Sequence, residues 1–270
     1  MDRFICPICN SHLFISENTY KCENRHSYDI SKHGYVNLIM SQKSSKKRHG
    51  DDKLMIQSRQ NFLNKGYYKP LLDCITRIVS EKSNGKPIAI LDAGCGDCYY
   101  SSYIQTCLPQ CEMYGIDISK DALIYAHKRN RSIMLAAAGC SRLPFEAKSF
   151  DVLLNIFSPV CAEEYARVLK DDGILIRAVP LEDHLFGLKA AVYDTPYRNP
   201  AETHTLEGFT LRSVDEIKYT LHLDSNEDIK ALFMMTPYYY KTSRTDQAKL
   251  DSLNKLETQA EFGVEVYKVL

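Results

Sequence analysis

This 270-residue chain has no excess of charge of either sign, because it contains 34 basic and 34 acidic residues. A net charge of zero excludes a global electrostatic attraction to nucleic acid, so such a partner would have to be met by a local patch. No apolar run approaches the ~20 residues that span a bilayer, and we therefore expect no membrane helix. Internal repeats are also missing, and the length fits one large domain or a large and a small one.

We also expect no apolar leader, because the sequence starts Met1-Asp2-Arg3 and continues without an h-region. The chain has ten cysteines. Without a leader we expect a reducing cytoplasm, in which these thiols do not form disulfides. Five cysteines outside the motifs described below are interpreted as small buried residues: Cys74, Cys107, Cys111, Cys140 and Cys161.

Four side chains of the kind that bind zinc occur near the start, in the pattern C-x2-C-x12-C-x3-H: Cys6, Cys9, Cys22 and His26. Two residues between the first pair let both thiolates reach one ion from a tight turn, and the second pair can complete a tetrahedron. A segment of roughly 40 residues cannot stabilise itself with an apolar core, so metal binding would supply folding free energy. His12 and His33 are alternative ligands, but the short spacing from Cys22 favours His26.

We expect a metal module over residues 1–40, a basic and helical connection over 41–85, and a larger domain over 86–270. The connection begins with a polar stretch, Lys43 to His49, in which most residues are basic. This stretch is either a solvated linker or a mobile arm that contacts phosphates. The pattern alone leaves both interpretations open.

The metal module is predicted to be rich in β-structure. Leu13–Ile15 and Thr19–Lys21 have the composition of a hairpin, which Ser27–Asp29 and Tyr35–Ile39 are expected to extend.

Helices and strands alternate along the larger domain. Two helical stretches between Leu54 and Ser80, broken around Gly66–Pro70, precede it. Predicted strands at 88–91, 113–116, 133–136, 150–155 and 174–178 are separated by predicted helices at 99–108, 120–129 and 162–169. The tail is expected to have antiparallel strands at 213–223 and 260–269 around a helix at 226–235. Strands separated by helices indicate parallel βαβ units, and hence an α/β fold with a doubly wound sheet.

A glycine-rich loop follows the first of these strands and opens a helix. Asp92 precedes Gly94 and Gly96, and Asp117 lies at the end of the second strand, where a carboxylate can accept both hydroxyls of a ribose. A dinucleotide fingerprint needs a third small residue, but the bulky Tyr99 stands in this region. Asp92 would repel a phosphate and could pair with an amino group. The loop therefore favours S-adenosylmethionine over a nicotinamide or flavin dinucleotide, or over no cofactor.

At this point the chain resembles a known family, the bacterial large-subunit (23S) ribosomal RNA guanine-N1 methyltransferases. The resemblance covers nearly the full length. Besides the zinc pattern and the loop Asp92–Gly96 with Asp117, it is carried by four segments: His33–Leu38, Gly66–Leu71, Cys140–Phe145 and Leu206–Thr210. It implies a Rossmann-like class I methyltransferase, with a mostly parallel seven-stranded sheet covered by helices on both faces and a small N-terminal zinc-binding domain.

The resemblance also assigns residues. Cys6, Cys9, Cys22 and His26 match its ligands for one structural zinc ion, and the cofactor contacts match Tyr68, Gly94, Cys95, Gly96, Asp97, Asp117 and His184. Cys98 departs from the family's cofactor motif, which often has a third glycine at this position. We expect the backbone at Cys98 to have a negative φ, which a residue other than glycine can adopt. The family further implies a homodimer whose zinc modules flank a cleft for an RNA stem-loop.

Methyl transfer to guanine N1 requires loss of the N1 proton, and the base must leave its stack. The wall opposite the cofactor is expected at Asn155–Pro159, which lacks the Asn/Asp-Pro-Pro-aromatic motif of many amino methyltransferases. Asn155 could bind the guanine edge, and Phe157 could stack on the base or be an ordinary core residue. His184 is a proton acceptor, a cofactor contact or a surface histidine. The catalytic base therefore stays unassigned, with His184 and Asn155 as candidates.

Two other segments have two interpretations each. Arg142 could contact RNA or form a surface ion pair, and Tyr238–Lys241 could stack on bases or belong to the core, which we favour. The expected function is transfer of a methyl group from S-adenosylmethionine to a guanine N1 in a hairpin of large-subunit ribosomal RNA. A small-molecule methyltransferase with an incidental zinc module and a non-catalytic RNA-binding protein are the alternatives. Altered macrolide susceptibility is a further hypothesis.

Overall fold

A computed structural model describes residues 3–40 and 53–270. The strands are β1 Phe14–Ser16, β2 Thr19–Lys21, β3 Ser27–Asp29, β4 Tyr35–Asn37, β5 Ala89–Ala93, β6 Glu112–Asp117, β7 Met134–Ala137, β8 Phe150–Ile156, β9 Leu169–Pro180, β10 Phe209–Leu223 and β11 Leu256–Val269. The helices are α1 Lys53–Asn64, α2 Lys69–Ser83, α3 Tyr99–Cys107, α4 Lys120–Arg129, α5 Ala162–Val168, α6 Phe186–Val192, α7 Asn226–Met234 and α8 Arg244–Ala248. Two short 3-10 helices, Tyr239–Lys241 and Lys249–Ser252, complete the tail.

The large sheet has eight strands in the order β10-β11-β9-β8-β5-β6-β7-β4. Neighbours from β9 to β4 are parallel, whereas β11 pairs antiparallel with both β9 and β10. From β5 the chain moves outward through β6 to β7, and it then returns to the other side of β5 as β8. In such sheets ligands bind outside the carboxyl ends of the strands where the direction reverses. The topology therefore predicts a site between the ends of β5 and β8.

Local sequence signals explain several helix boundaries. The Ser119 hydroxyl accepts a hydrogen bond from the Ala122 N–H and caps α4, whose predicted bounds are confirmed. Pro70 lies in the first turn of α2, where its missing N–H costs nothing, and Asn84 ends that helix with φ +46°. The predicted break between α1 and α2 is confirmed.

The prediction for β4 was wrong. It does not extend the small antiparallel sheet β1-β2-β3 but pairs in parallel with β7, as an eighth strand beyond the seven expected. An isolated bridge between Ile30 and Val36 still links it to the metal module. Val36 and Leu38 are buried in the core of the large sheet, and this burial decides the partner.

The metal module shares an apolar core with the large domain. The Phe4 ring is 1% exposed and stacks on Phe145 with ring centroids 5.1 Å apart. It also makes edge-to-face contacts with Tyr20 of the module and Tyr114 of β6. The Ile5 N–H donates to the Pro144 carbonyl across the same boundary. The module is therefore packed against the sheet, and the boundary proposed at residue 40 stays a prediction, as does that at 85.

Other expectations had mixed outcomes. The short helix α6 was not predicted, and Cys107 is exposed, contrary to the expected burial, whereas Cys111 is buried and Cys74, Cys140 and Cys161 are half-buried. The basic stretch Lys43 to His49 lies outside the described residues. Within the described ranges, no helix is long and apolar enough to cross a membrane.

Candidate cofactor cavity and metal centre

The four predicted metal ligands come together in the N-terminal module. Their ligand atoms all lie within 4.8 Å of one another. His26 Nδ1 is 3.5 Å from Cys6 Sγ and 3.4 Å from Cys22 Sγ, and the sulfurs of Cys9 and Cys22 are 3.7 Å apart. Bonds of about 2.3 Å to sulfur and 2.1 Å to nitrogen place tetrahedral ligands roughly 3.5–3.8 Å apart, so the set fits zinc.

The surroundings of the cluster also suit a metal. A hydrogen bond from the Asn24 side chain, with others from Ser11, lowers the pKa of the Cys9 thiol to about 5, which favours the thiolate that binds metal. Burial raises the pKa of Cys22, and the charge of an ion would offset this effect. The alternative ligand His12 lies outside the cluster, with its Nδ1 3.4 Å from Glu146.

A cavity of about 930 Å³ opens at the carboxyl ends of β5, β6 and β8, where the strand order reverses. All the predicted cofactor residues line it: Tyr68, Asp92, Gly94, Cys95, Gly96, Asp97, Asp117 and His184. The catalytic candidate Asn155 also lines it. The structure thus brings together residues that are spread over more than a hundred positions of the sequence.

The glycine loop is shaped by backbone contacts to the next strand. The N–H groups of Gly94 and Cys95 both donate to the Ile116 carbonyl at 2.9 Å. Gly94 has φ +89°, and a Cβ there would lie 2.5 Å from the Ser158 Cβ. Glycine is therefore required at this position both by conformation and by space.

Asp117 is held with its carboxylate at the end of β6. One oxygen accepts from the Gly96 N–H at 2.9 Å, and the other accepts from the Ser119 N–H at 2.7 Å. These bonds fix the group without using all of its lone pairs. The carboxylate can therefore accept further hydrogen bonds from a ribose.

Asp92 is 2% exposed and accepts a hydrogen bond from the Ser101 hydroxyl. Burial raises its pKa to about 7, and the nearby charges of Asp117 and Asp97 act in the same direction. A cation placed beside it would reverse this shift. Asp92 thus fits the α-ammonium group of S-adenosylmethionine.

Asp97 lines the cavity, but its carboxylate already has partners. It forms an ion pair with Arg129 of α4 at 2.5 Å and accepts from the Gln60 amide of α1 at 2.9 Å. Asp97 therefore ties both helices to the glycine loop. A direct contact of its side chain with the cofactor remains a prediction.

The expectation of a negative φ at Cys98 was wrong. Its φ is +58°, in the left-handed region that favours glycine, and it directly precedes α3. The side chain is fully buried in the core. This burial offsets part of the cost of the backbone conformation.

Tyr68 and His184 both pack against Phe262, and their ring centroids lie 6.2 Å from each other. Their rings lie 4.8 Å and 4.7 Å, respectively, from that of Phe262. His184 is 7% exposed, so it is not a surface histidine, and its Nδ1 accepts the Glu261 N–H. Burial lowers its pKa to about 3, which leaves a neutral ring with its proton on Nε2. Such a ring can donate from Nε2 but is poorly suited to accept a proton there.

The opposite wall is a tight turn after β8. The buried Asn155 amide donates to the Ser158 hydroxyl at 2.6 Å and to the Tyr165 hydroxyl at 3.0 Å, so it holds the turn. The Ser158 hydroxyl in turn donates to the Ala93 carbonyl at 2.6 Å. Phe157 has φ +54° and is 46% exposed, which contradicts the core interpretation. The turn presents an aromatic ring at the cavity wall.

Comparison with known proteins extends these observations. Residues 4–47 match the profile described as "RlmA, N-terminal", a zinc ribbon, and residues 90–173 match "Methyltransferase domain". The YxjB protein of Bacillus subtilis, whose name provisionally gives it as a 23S rRNA (guanine-N(1)-)-methyltransferase, is 31% identical over 97% of this chain and 95% of its own. The 23S rRNA (guanine(748)-N(1))-methyltransferase of Streptomyces fradiae is 28% identical over 81% of this chain and 79% of its own.

The chain belongs to the 23S rRNA (guanine-N1)-methyltransferase family. Among solved structures, the YcgJ protein of Bacillus subtilis matches with a TM-score of 0.49 and 15% identity, over 70% of this chain and 96% of that one. The match to the methyltransferase domain profile and the family relation confirm the class I methyltransferase fold. The cavity fits S-adenosylmethionine, and the cysteine–histidine cluster fits zinc.

Several cavity residues of this family member were not found from the sequence. Arg59 and Leu63 lie one helical turn apart on α1, and Tyr100 and Arg177 line other parts of the wall. The helical periodicity of α1 predicts a buried face but not which pocket that face borders. Arg142 was another candidate from the sequence. Its guanidinium donates to the side-chain oxygen of Asn10 in the metal module at 3.1 Å.

We favoured a core position for Tyr238–Lys241, but the segment does not lie wholly in the core. Tyr238 is half-buried and lines the cavity, whereas Tyr240 is 61% exposed.

Proposed function

We propose that this protein transfers a methyl group from S-adenosylmethionine to N1 of a guanine in a hairpin of large-subunit ribosomal RNA. The observation that carries the proposal is a cofactor cavity with an exposed aromatic ring, Phe157, in its wall. An extruded base needs a flat apolar surface to replace its lost stacking, and Phe157 offers one. The family relation supports the choice of RNA as the substrate.

The cofactor, when bound, supplies an already activated methyl group, so the protein has mainly to position the reactants. Asp117 would hold the ribose of the bound cofactor, and Asp92 would hold its ammonium group. Phe157 stacks on the guanine so that N1 faces the cofactor. The N1 proton of guanine passes to solvent water as the methyl group is transferred, and His184 serves as a positioning residue rather than as the proton acceptor.

The metal module supports a macromolecular substrate over a small one. Three of its apolar side chains face solvent: Ile8, Phe14 and Ile15 are 53%, 48% and 55% exposed, respectively. Exposed apolar groups of this kind are common on surfaces that contact partners. A zinc module with no part in a small-molecule reaction would have no role for these exposed apolar side chains.

The proposal also covers the position of the methylated guanine, the assembly of the protein and the effect on antibiotic susceptibility. The relative from Streptomyces fradiae is named for position 748, which makes the neighbourhood of that guanine the natural place to look. We further propose a cytoplasmic homodimer in which the two metal modules flank the RNA. Loss of the methyl group is expected to change macrolide susceptibility, which a comparison of deletion and parent strains would reveal.

Methyl transfer from radiolabelled S-adenosylmethionine to protein-free large-subunit RNA tests the proposal. We expect label in the RNA and one strong reverse-transcription stop at a guanine, because N1-methylation blocks pairing. Asp117→Ala should abolish both signals, whereas Asp171→Ala, at an exposed site far from the cavity, should not. Binding of the cofactor without any label in RNA would favour the small-molecule alternative.

A further inference from the structure

Two arginines are among the described residues that line the cavity, Arg59 and Arg177. Arg177 donates to the buried Glu265 at 2.9 Å and to Glu202 at 3.3 Å, so its charge is balanced within the fold. Arg59 faces the glycine loop from α1, since a Cβ at Gly96 would lie 3.6 Å from its Nη1 atom. Arg59 thus brings positive charge to a cavity wall that is otherwise rich in carboxylates.

Tyr100 also lines this cavity. Its hydroxyl is buried and has no hydrogen-bond partner among the described residues. Buried hydroxyls in folded proteins nearly always have a partner, so this one is suited to meet a ligand. Burial raises the pKa of Tyr100 well above its usual value, so the group stays protonated and can donate. The charges of Arg59 and Asp92 both lie close enough to act on it.

We propose that Arg59 and the Tyr100 hydroxyl bind the α-carboxylate of S-adenosylmethionine, while Asp92 faces its α-ammonium group. The carboxylate would otherwise be repelled by the cavity acids Asp92 and Asp117. A guanidinium and a neutral donor together supply the charge and the hydrogen bonds that this group needs. The inference depends on the cofactor and not on the identity of the methylated substrate.

Contacts on either side of Arg59 hold its helix in place. The Gln60 amide donates to Asp97 of the glycine loop at 2.9 Å, and the Ser58 hydroxyl contacts Met234 Sδ at 3.6 Å. The helix is therefore attached both to the loop and to α7 before any ligand binds. The backbone that carries Arg59 is thus held in place, which reduces the conformational freedom that is lost on binding.

Calorimetric binding of two ligands to the zinc-loaded full chain tests the proposal. The ligands are S-adenosylmethionine and its decarboxylated analogue, which differs by the carboxylate alone. Arg59→Met should weaken S-adenosylmethionine about 10- to 100-fold, the effect expected when a charged hydrogen bond is lost, while the analogue changes by less than about threefold. Tyr100→Phe, which removes one oxygen atom, should show the same selectivity with an effect of roughly 3- to 10-fold.

Matched controls are available nearby. Tyr103→Phe removes a hydroxyl from the same helix outside the cavity lining, and Arg131→Met removes an exposed arginine. Both should bind the two ligands like the parent. If Arg59→Met fails to fold, as judged by its melting curve, Tyr100→Phe and Arg59→Lys keep the proposal testable, because lysine retains the charge and should lose less affinity.

Equal weakening of both ligands by Arg59→Met would overturn the proposal, since the arginine would then only shape the loop. Equal affinity of the parent protein for both ligands would do the same. Selective loss of S-adenosylmethionine binding would support it even if ribosomal RNA proved not to be the substrate. Failure of the parent to bind either ligand would overturn both this inference and the proposed function.

Discussion

Among single residues, Asp92 shows most directly that a group suited to bind the cofactor can lower the stability of the unliganded protein. Its carboxyl group is buried, and its pKa of about 7 lies above the value of 3.8 expected in the unfolded chain. The folded state therefore holds this proton more tightly than the unfolded state does. As pH rises from about 4 to about 7, the folded protein loses the stability that the protonated group contributed.

Asp92→Asn should accordingly stabilise the unliganded protein more at pH 8 than at pH 5. We expect a gain of about 1–3 kcal/mol at pH 8, below the full value of the pKa difference because some relaxation accompanies ionisation. Affinity for S-adenosylmethionine should fall at least about tenfold, since the ammonium group loses its counter-charge. Urea unfolding at both pH values, with the exposed Asp171→Asn as control, measures the effect, and equal gains at pH 5 and pH 8 would contradict it.

His184 gives a second prediction at this scale. A ring whose pKa is about 3 stays neutral between pH 5 and pH 8, so it should leave no step in the rate profile over that range. His184→Asn retains an acceptor for the Glu261 N–H, and we expect its single-turnover rate at saturating cofactor to stay within about tenfold of the parent. A proton acceptor would instead be worth about 10²–10⁴-fold, and a loss of that size would refute the positioning role.

The residues that sequence reasoning found are those whose role is local. Asp92, Gly94 and Asp117 flank strand ends, so their positions follow from the pattern of elements. Arg59 had no such signal, because α1 reaches the cavity only through the packing of distant segments. Tyr100 lies in the first turn of α3, and the sequence does not tell which face of that helix borders the cavity. A helical arginine and a helical tyrosine are ordinary features until the fold shows what they face.

At the scale of elements, alternation and capping predicted where strands and helices lie better than they predicted partners. The bounds of α4 follow from a serine cap and a periodic apolar face. The pattern of β4 indicates a strand but not its sheet, and it joined β7 because the large sheet offered more apolar surface to cover. The seven residues of α6 have too little periodicity to be recognised in the sequence.

The packing of the metal module against the sheet should be sensitive to Phe4. Phe4→Ala removes a ring that is 1% exposed and should cost about 3–5 kcal/mol of unfolding free energy. Phe14→Ala is the matched control in the same module, where 48% exposure predicts a cost below about 1 kcal/mol. Urea unfolding, monitored by both zinc release and circular dichroism, should show the two signals shifting together for Phe4→Ala. A shift in zinc release alone would mean that the module unfolds independently.

For the molecule as a whole, we expect the shared core to couple the metal centre to the cofactor cavity. The module contributes β4, which pairs with β7, and the residues that follow β7, Ala138 to Ser141, line the cavity. Removing zinc with a chelator should lower the melting temperature and weaken S-adenosylmethionine binding several-fold. Added zinc should restore both. Unchanged cofactor affinity in the metal-free protein would show that the two sites are independent.

The identity of the product nucleoside decides whether this protein methylates guanine N1 in large-subunit ribosomal RNA. Protein-free RNA from a strain that lacks the enzyme is incubated with S-adenosylmethionine and the purified protein, digested to nucleosides and analysed by mass spectrometry against methylguanosine standards. We predict one N1-methylguanosine per RNA molecule above the background of untreated RNA. A methyl group on the exocyclic amine, on another base, or on no nucleoside at all would contradict the account.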